Sequence, residues 1–283
     1  MKIEVFYDKT TFTLTYLVFD EQTKDAIVID PVLDYDQYAG KLSHTSFERV
    51  HHFIQQNKLN LHYVLETHAH ADHLSSSQIF KDHYPNVKIG IGEHIKEVQE
   101  TFKGVFNLEG LKITGEQFDH LFKDGEVLNV GPIEIKVINT PGHTPACVSY
   151  LIEDQLFTGD ALFMPDFGTG RCDFPKGCAE DLYHSVHEKL YELPDETKVY
   201  VGHDYQPGGR ELMYQTTIGE SKKSNIQLKG ETSREDFVSF RKARDATLSA
   251  PKLLLPSIQV NIDAGKLPKA EENGVSYLKL PLT

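Results

Sequence analysis

The chain has 283 residues, 39% of them hydrophobic and 25% charged, ordinary proportions for a folded protein and length enough to bury a core without disulfides. Its net charge of −13 disfavours nucleic acid and anionic lipid as partners. Its three cysteines, Cys147, Cys172 and Cys178, form neither a disulfide framework nor a CxxC zinc pair. No run reaches the ~18 apolar residues of a membrane span. The first twenty residues lack the basic and apolar regions of a secretory signal, so a cytoplasmic location is expected. A homodimer is compatible with this composition.

In chain order, "LTYLVFD" and "DAIVIDP" read as two strands joined by a polar turn at residues 21–24. A helix is expected from Ser46 to Asn57, where Phe47, Val50 and Ile54 recur at spacings of three and four. The strand "HYVLET" follows, then a polar cluster, a helix through Ile79 and Phe80, the strand "NVKIGIG" and the helix "EHIKEVQETFKGVF". The second half gives the strands "PIEIKVINT", "CVSYLIED" and "QLFTGD". After them comes an amphipathic helix in "CAEDLYHSVHEKLYEL", with Leu182, Val186 and Leu190 on one stripe, and the late strand "KVYVGHD". A helix from Ser233 to Leu248 opens on a serine, with Asp236 three residues on. The stretch Gly219–Gly230 reads as a mobile loop, and the Pro/Gly-rich tail after residue 264 as surface. Strands in both halves with helices between them predict an α/β fold, two sheets covered by helices. One domain is expected over residues 1–283, with pseudo-halves at about 1–130 and 131–283.

The chemistry concentrates where strands stop. "THAHADH", Thr67 to His73, holds three histidines and an aspartate just after an apolar strand. Alternate residues of extended backbone point the same way, so His68 and His70 face one point, with Asp72 and His73 following as the chain turns. Imidazole and carboxylate together suit zinc, iron or manganese. His143 follows a strand in "NTPGHTP", Asp160 ends "LFTGD" and His203 ends "VYVGHD". Polar residues at several strand ends are the pattern of a site built along one rim of a sheet.

These four motifs, in this order, resemble the metal signature of the metallo-β-lactamase superfamily. The resemblance implies an αββα sandwich, two mixed sheets flanked by helices, with the metal at the rim between the sheets. It implies that His68, His70 and His143 hold a first metal, that Asp72, His73 and His203 hold a second, and that Asp160 bridges them. It also implies that Asp30, in "IVIDP", is a buried carboxylate orienting the metal loop.

The stretch "GDALFMPDFGTGRCDFPKG", with "HDYQPGGRE" and "LPSIQVNIDAGKLP", is similar to bacterial persulfide dioxygenases and the β-lactamase-like hydrolases grouped with them in sulfide detoxification. That group implies one Fe(II) per chain held by His68, His143 and Asp160. Two histidines and one carboxylate leave coordination positions for dioxygen and a sulfur substrate. His70, Asp72, His73 and His203 then stand behind the ligands, orienting them and tuning proton transfer. The implied reaction converts glutathione persulfide, oxygen and water to glutathione and sulfite. Arg171 is the expected cationic contact for the substrate, with Tyr205 and Arg210 as further contacts. Cys172 is read either as a persulfide carrier or, preferably, as a packed apolar residue. Where a glycine pair is expected after "RCDFP", the chain has Lys176 and Gly177, which adds a positive charge beside the pocket. No rhodanese-like extension accompanies the motifs.

The rival reading is a zinc hydrolase, with one or two Zn2+ acting on thioesters like hydroxyacylglutathione hydrolase, or on lactones. "THAHADH", "TPGHT" and "GD" serve both readings. A non-catalytic metal-binding domain is a third reading, disfavoured because such a domain has no use for open coordination positions.

Overall fold

The computed structural model describes residues 1–282. The first part of the chain supplies β1 (Lys2–Asp8), β2 (Thr13–Phe19), β3 (Asp25–Ile29), β4 (Val32–Asp36), β5 (Lys41–Ser43), α1 (Thr45–Asn57), β6 (Asn60–Leu65), β7 (Leu74–Ser75), α2 (Ser77–His83), β8 (Lys88–Gly92), α3 (Ile95–Val105) and β9 (His120–Phe122). The second part supplies β10 (Val127–Val130), β11 (Ile133–Asn139), β12 (Val148–Ile152), β13 (Gln155–Phe157), α4 (Ala179–Tyr183), β14 (Lys198–Tyr200), β15 (Gln215–Thr217), α5 (Ile218–Ser224), α6 (Arg234–Asp245) and α7 (Leu254–Asn261).

Two six-stranded sheets result, in the orders β1-β2-β3-β6-β8-β9 and β10-β11-β12-β13-β14-β15. Both are mixed. β3, β6, β8 and β9 run parallel within the first, and β13 pairs parallel with β14 in the second. A small third sheet, β5-β4-β7, lies alongside. The sheets meet face to face because their strands are apolar on both sides. In β2, Leu14, Tyr16 and Val18 point into the core shared with Ile135, Val137, Tyr150 and Phe157 of the second sheet. The alternate residues Leu17 and Phe19 pack outward on Phe47, Val50 and Ile54 of α1, as the period of two requires. α3 and α7 cover another part of the first sheet through Val98, Phe102 and Ile258. Leu182, Val186 and Leu190 are fully buried on the outer helix of the second half. This is the expected αββα sandwich.

Hydrogen bonds stitch the two sheets together at one rim. Leu14 N donates to Gly202 O at 2.9 Å and Asp204 N to Phe12 O at 3.1 Å. Val148 N donates to Thr67 O at 2.9 Å, and the buried Tyr150 hydroxyl donates to Glu66 O at 2.8 Å.

The structure departs from expectation in places. Gly219–Gly230 is no open loop at its start: α5 occupies 218–224, capped by Thr217, whose side chain accepts from Glu220 N. The helix of "CAEDLYHSVHEKLYEL" is α-helical only over α4 and continues as a π-helical turn, His184–Leu190. α6 does open on Ser233, whose side chain accepts from Asp236 N. Lys176 has a left-handed backbone, φ 64°, which is why a glycine suits that position. Its ammonium pairs with Glu100 of α3 at 3.2 Å, so the added charge is neutralised at the helix rather than turned to the pocket.

Candidate metal centre

Each strand end along the stitched rim delivers part of one cluster. His68, His70, Asp72 and His73 lie on the loop between β6 and β7, His143 on the turn before β12, Asp160 just after β13 and His203 just after β14. His68, His143 and Asp160 offer ligand atoms all within 4.8 Å of one another. His70, Asp72, His73 and His203 form a second such group. Asp160 stands between the two: one carboxylate oxygen is 3.6 Å from His143 Nε2 and the other 3.4 Å from His203 Nε2.

The hydrogen bonds around the cluster fix which nitrogen each imidazole presents. The Thr67 hydroxyl donates its one proton to Asp30 Oδ2 at 2.8 Å. It therefore accepts from His68 Nδ1, 2.9 Å away, leaving the lone pair on His68 Nε2. His143 Nδ1 donates to Arg171 O at 2.6 Å, and His73 Nδ1 to Leu74 O at 3.1 Å. His70 is turned the other way: its Nε2 donates to Asp30 Oδ1 at 3.0 Å, which frees Nδ1. His203 sits at the head of a relay. Its Nδ1 is 3.5 Å from the Thr13 hydroxyl, which is 2.7 Å from the Thr11 hydroxyl, which donates to Asp8 at 2.6 Å. His68, His73, His143 and His203 thus aim a bare nitrogen inward, and His70 turns its Nδ1 the same way.

Several of these inward atoms are buried with no partner: His68 Nε2, His70 Nδ1, His73 Nε2, His203 Nε2, Asp72 Oδ2 and Asp160 Oδ1. Buried polar atoms without partners are costly, and so many converging on one place is the arrangement a bound cation resolves. Burial, and then the neighbouring imidazole of His70, pushes His68 well below the usual histidine range and lowers His73 to about 4. Both are neutral at neutral pH, the form that ligates metal. His70 moves the other way. Burial lowers it, but the Asp30 and Glu66 carboxylates outweigh burial and raise it well above the usual value.

Asp30 holds the loop. Besides His70 and the Thr67 hydroxyl, it accepts from Thr67 N at 2.7 Å. It does so from a left-handed backbone, φ 50°, a conformation aspartate tolerates better than most residues. Sequence reasoning missed its neighbour Glu66. One carboxylate oxygen of Glu66 accepts the hydroxyls of Ser75 and Ser77, and the other lies 3.5 Å from His70 Nε2. A glutamate ending a strand carries no signal of this on its own. The carbonyl of Arg171, which fixes His143, was equally invisible, since any residue has one.

A cavity of about 850 Å³ opens beside the cluster, lined by Phe12, Tyr35, Asp72, Arg171, Tyr205 and Lys252 among others. The Arg171 guanidinium donates to Asp173 at 2.5 Å and to Ser249 O at 2.7 Å and forms part of the wall. The Tyr205 ring stacks on His203 and Phe167, with centroids 5.6 and 4.7 Å away. Burial and the Asp72 and Asp160 charges raise its hydroxyl well above the usual tyrosine value, so it remains a donor. Arg210 is not brought to this cavity: Asp204 at 2.7 Å and Asp166 at 2.5 Å occupy its guanidinium. Cys172 is buried, its thiol pushed upward by that burial.

The fold and this ligand set define a class. The chain belongs to the metallo-beta-lactamase superfamily, whose profile matches residues 9–203, a group of metal-dependent enzymes acting on small molecules. A Dictyostelium discoideum protein named glyoxylase B2 is 51% identical over 283 residues, covering 99% of this chain and 97% of that protein. The human mitochondrial persulfide dioxygenase ETHE1 is 33% identical over 236 residues, 83% of this chain and 78% of its own. The crystal structure of ETHE1 from Myxococcus xanthus superposes with a TM-score of 0.76 at 31% identity, covering 94% of this chain and all of that one.

Proposed function

We propose that the chain is a persulfide dioxygenase: glutathione persulfide, O2 and water become glutathione and sulfite, with one Fe(II) per chain held by His68, His143 and Asp160. The observation that carries this reading is the His68–His143–Asp160 group, two imidazoles and a carboxylate within 4.8 Å of one another at the edge of a large cavity. Iron bound by such a set supplies a redox-active ion with free positions for oxygen and sulfur, which zinc does not. The likeness to the two ETHE1 proteins supports the same choice.

The chain's own residues divide the remaining work. Lys41 and Lys252 on the cavity wall attract the carboxylates of a glutathione-like substrate, and Arg171, whose guanidinium Asp173 already engages through Nε and Nη2, supplements them. Tyr205 donates a hydrogen bond from the wall, and the part-exposed Phe12 ring beside it, 5.5 Å between centroids, offers the substrate an apolar face. Asp72 lines the cavity and sits 3.3 Å from His203 Nε2. This pair accepts the proton released when the persulfide sulfur is deprotonated. Arg210 acts at a distance, bracing Asp204 beside His203.

The second reading, hydrolysis of thioesters with two Zn2+, is favoured by the second group of His70, Asp72, His73 and His203, held as firmly as the first, and by the relative named as a glyoxylase. Oxygen consumption with fresh glutathione persulfide, run beside S-lactoylglutathione hydrolysis on protein loaded with iron and with zinc, separates them. The first reading requires oxygen uptake that depends on iron; the second requires zinc-dependent hydrolysis without uptake. A cytoplasmic site of action is part of the proposal. Among the described residues no helix is long and apolar enough to cross a membrane.

A further inference from the structure

We infer that Asn261, at the end of α7, is a positioning residue for the loop that carries His68, His70, Asp72 and His73. Its side-chain nitrogen donates to His70 O and to His73 O, both at 2.8 Å, and its oxygen accepts from Ser75 N at 2.8 Å. One buried amide thereby spends both N–H groups and its carbonyl on a single loop some 190 residues away in the chain. The two carbonyls it grips bracket Ala71 and Asp72. The loop lacks regular hydrogen bonding of its own between Thr67 and Leu74, so these contacts set its path.

α7 is anchored well enough to act as a fixed post. Gln259 exchanges hydrogen bonds with Lys279, 2.9 Å in each direction. Gln99 of α3 donates to Ile262 O at 2.9 Å. In the turn that follows, Gly265 has φ +80°, and a Cβ there would lie 3.0 Å from Ser75 O and 3.2 Å from Gln78 N, so the post stands directly against the loop. The whole element lies beyond residues 9–203, the stretch that defines the superfamily. Alanine at 261 strands two carbonyls and an N–H in a dry environment, each a costly loss. Aspartate keeps the shape but has no proton to donate, and sets a carboxylate against two carbonyl oxygens.

The inference rests on the reading of the loop as metal-binding, whichever metal is native. Titration of Co(II) into the metal-free protein, followed through its visible absorption, tests it. Asn261→Ala and Asn261→Asp are expected to weaken Co(II) binding about tenfold or more, the usual effect of removing a group that orients ligands, and to alter the absorption bands. Ser233→Ala, which removes the cap of α6 and touches neither α7 nor the loop, is expected to lower the melting temperature while leaving affinity and spectrum unchanged. Coupling is reciprocal, so in the wild type Co(II) should slow hydrogen exchange across 254–261 even if both variants fail to fold. Folded Asn261 variants that bind within twofold of wild type with an unaltered spectrum, or no change in exchange, would overturn the inference. A wild type that takes up no Co(II) would instead remove the metal-binding reading, and the inference with it.

Discussion

At the scale of single residues, the metal centre is a set of decisions about where protons sit. Each inward-facing imidazole has its second nitrogen committed: His68 to Thr67, His143 to the Arg171 carbonyl, His73 to Leu74 O, His70 to Asp30. Ligation then costs little reorganisation. His143→Ala should leave a folded protein, by circular dichroism, that no longer retains one equivalent of iron through desalting; full retention would remove His143 from the ligand set. The cysteines give a pH-dependent test. Burial lifts the Cys147 thiol to about 12 and Cys172 upward as well. The thiolate is the reactive form and is nearly absent from both at pH 8, returning for Cys147 only as pH nears its raised value. Burial raises Cys178 too, but it is only half-buried, so iodoacetamide on the native protein at pH 8 should mark Cys178 slowly and the other two not at all, with all three labelled in urea. Rapid native labelling of Cys172 would instead favour the persulfide-carrier role. The candidate ligands were legible in the sequence because each is a polar residue where an apolar strand ends. Glu66, Asn261 and the Thr13–Thr11–Asp8 relay were not. Their roles exist only in contacts between segments distant in the chain, and no local spacing encodes those.

At the scale of elements, turn geometry aims the ligands. The turn that presents His143 passes through Gly142 at φ +139°, where a Cβ would lie 2.4 Å from backbone atoms of Leu182. Gly142→Ala therefore meets both a forbidden backbone and a wall. It should destabilise the protein by about 2 kcal/mol or more, read from urea unfolding, and should weaken metal binding with it. A change under half that size would mean the turn yields easily. Ser233→Ala tests the capping of α6 and should cost about 1 kcal/mol without touching metal affinity. The apolar stripe of α1 and the serine that opens α6 located those helices closely because both signals are local. Periodicity failed at α5, where "GESKKS" has no apolar stripe and the helix forms because Thr217 caps it while Ile218 and Ser221 are buried. It also gave no warning of the π-helical turn after α4. Leu182, Val186 and Leu190 keep the spacing of an α-helix, and the widening occurs in the backbone hydrogen bonds.

At the scale of the molecule, the site exists because two mixed sheets are fastened at one rim, where Leu14, Asp204, Thr67 and Val148 exchange backbone hydrogen bonds. Neither sheet holds a complete ligand set: His68, His70, Asp72 and His73 follow a strand of the first, while His143, Asp160 and His203 border strands of the second. A bound metal thus crosslinks the halves of the fold and stabilises the native state alone. At a hundredfold excess over Kd this contributes about 2.7 kcal/mol, so chelation should lower the melting temperature by roughly 4–5 °C. An unchanged melting temperature would mean the cluster does not join the sheets through a metal. The architecture was readable from the strand-rich halves and the four motifs. The small β5-β4-β7 sheet that walls the cavity was not, because its strands are short and β4 meets β7 only across some forty residues of chain. We propose that this rim holds iron for oxygen chemistry on a persulfide, which oxygen uptake tests in metal-free protein reconstituted anaerobically with one Fe(II) per chain and given glutathione persulfide. Uptake with sulfite formed in equal amount is expected; no uptake, together with thioester hydrolysis at two bound zincs per chain, would overturn the proposal.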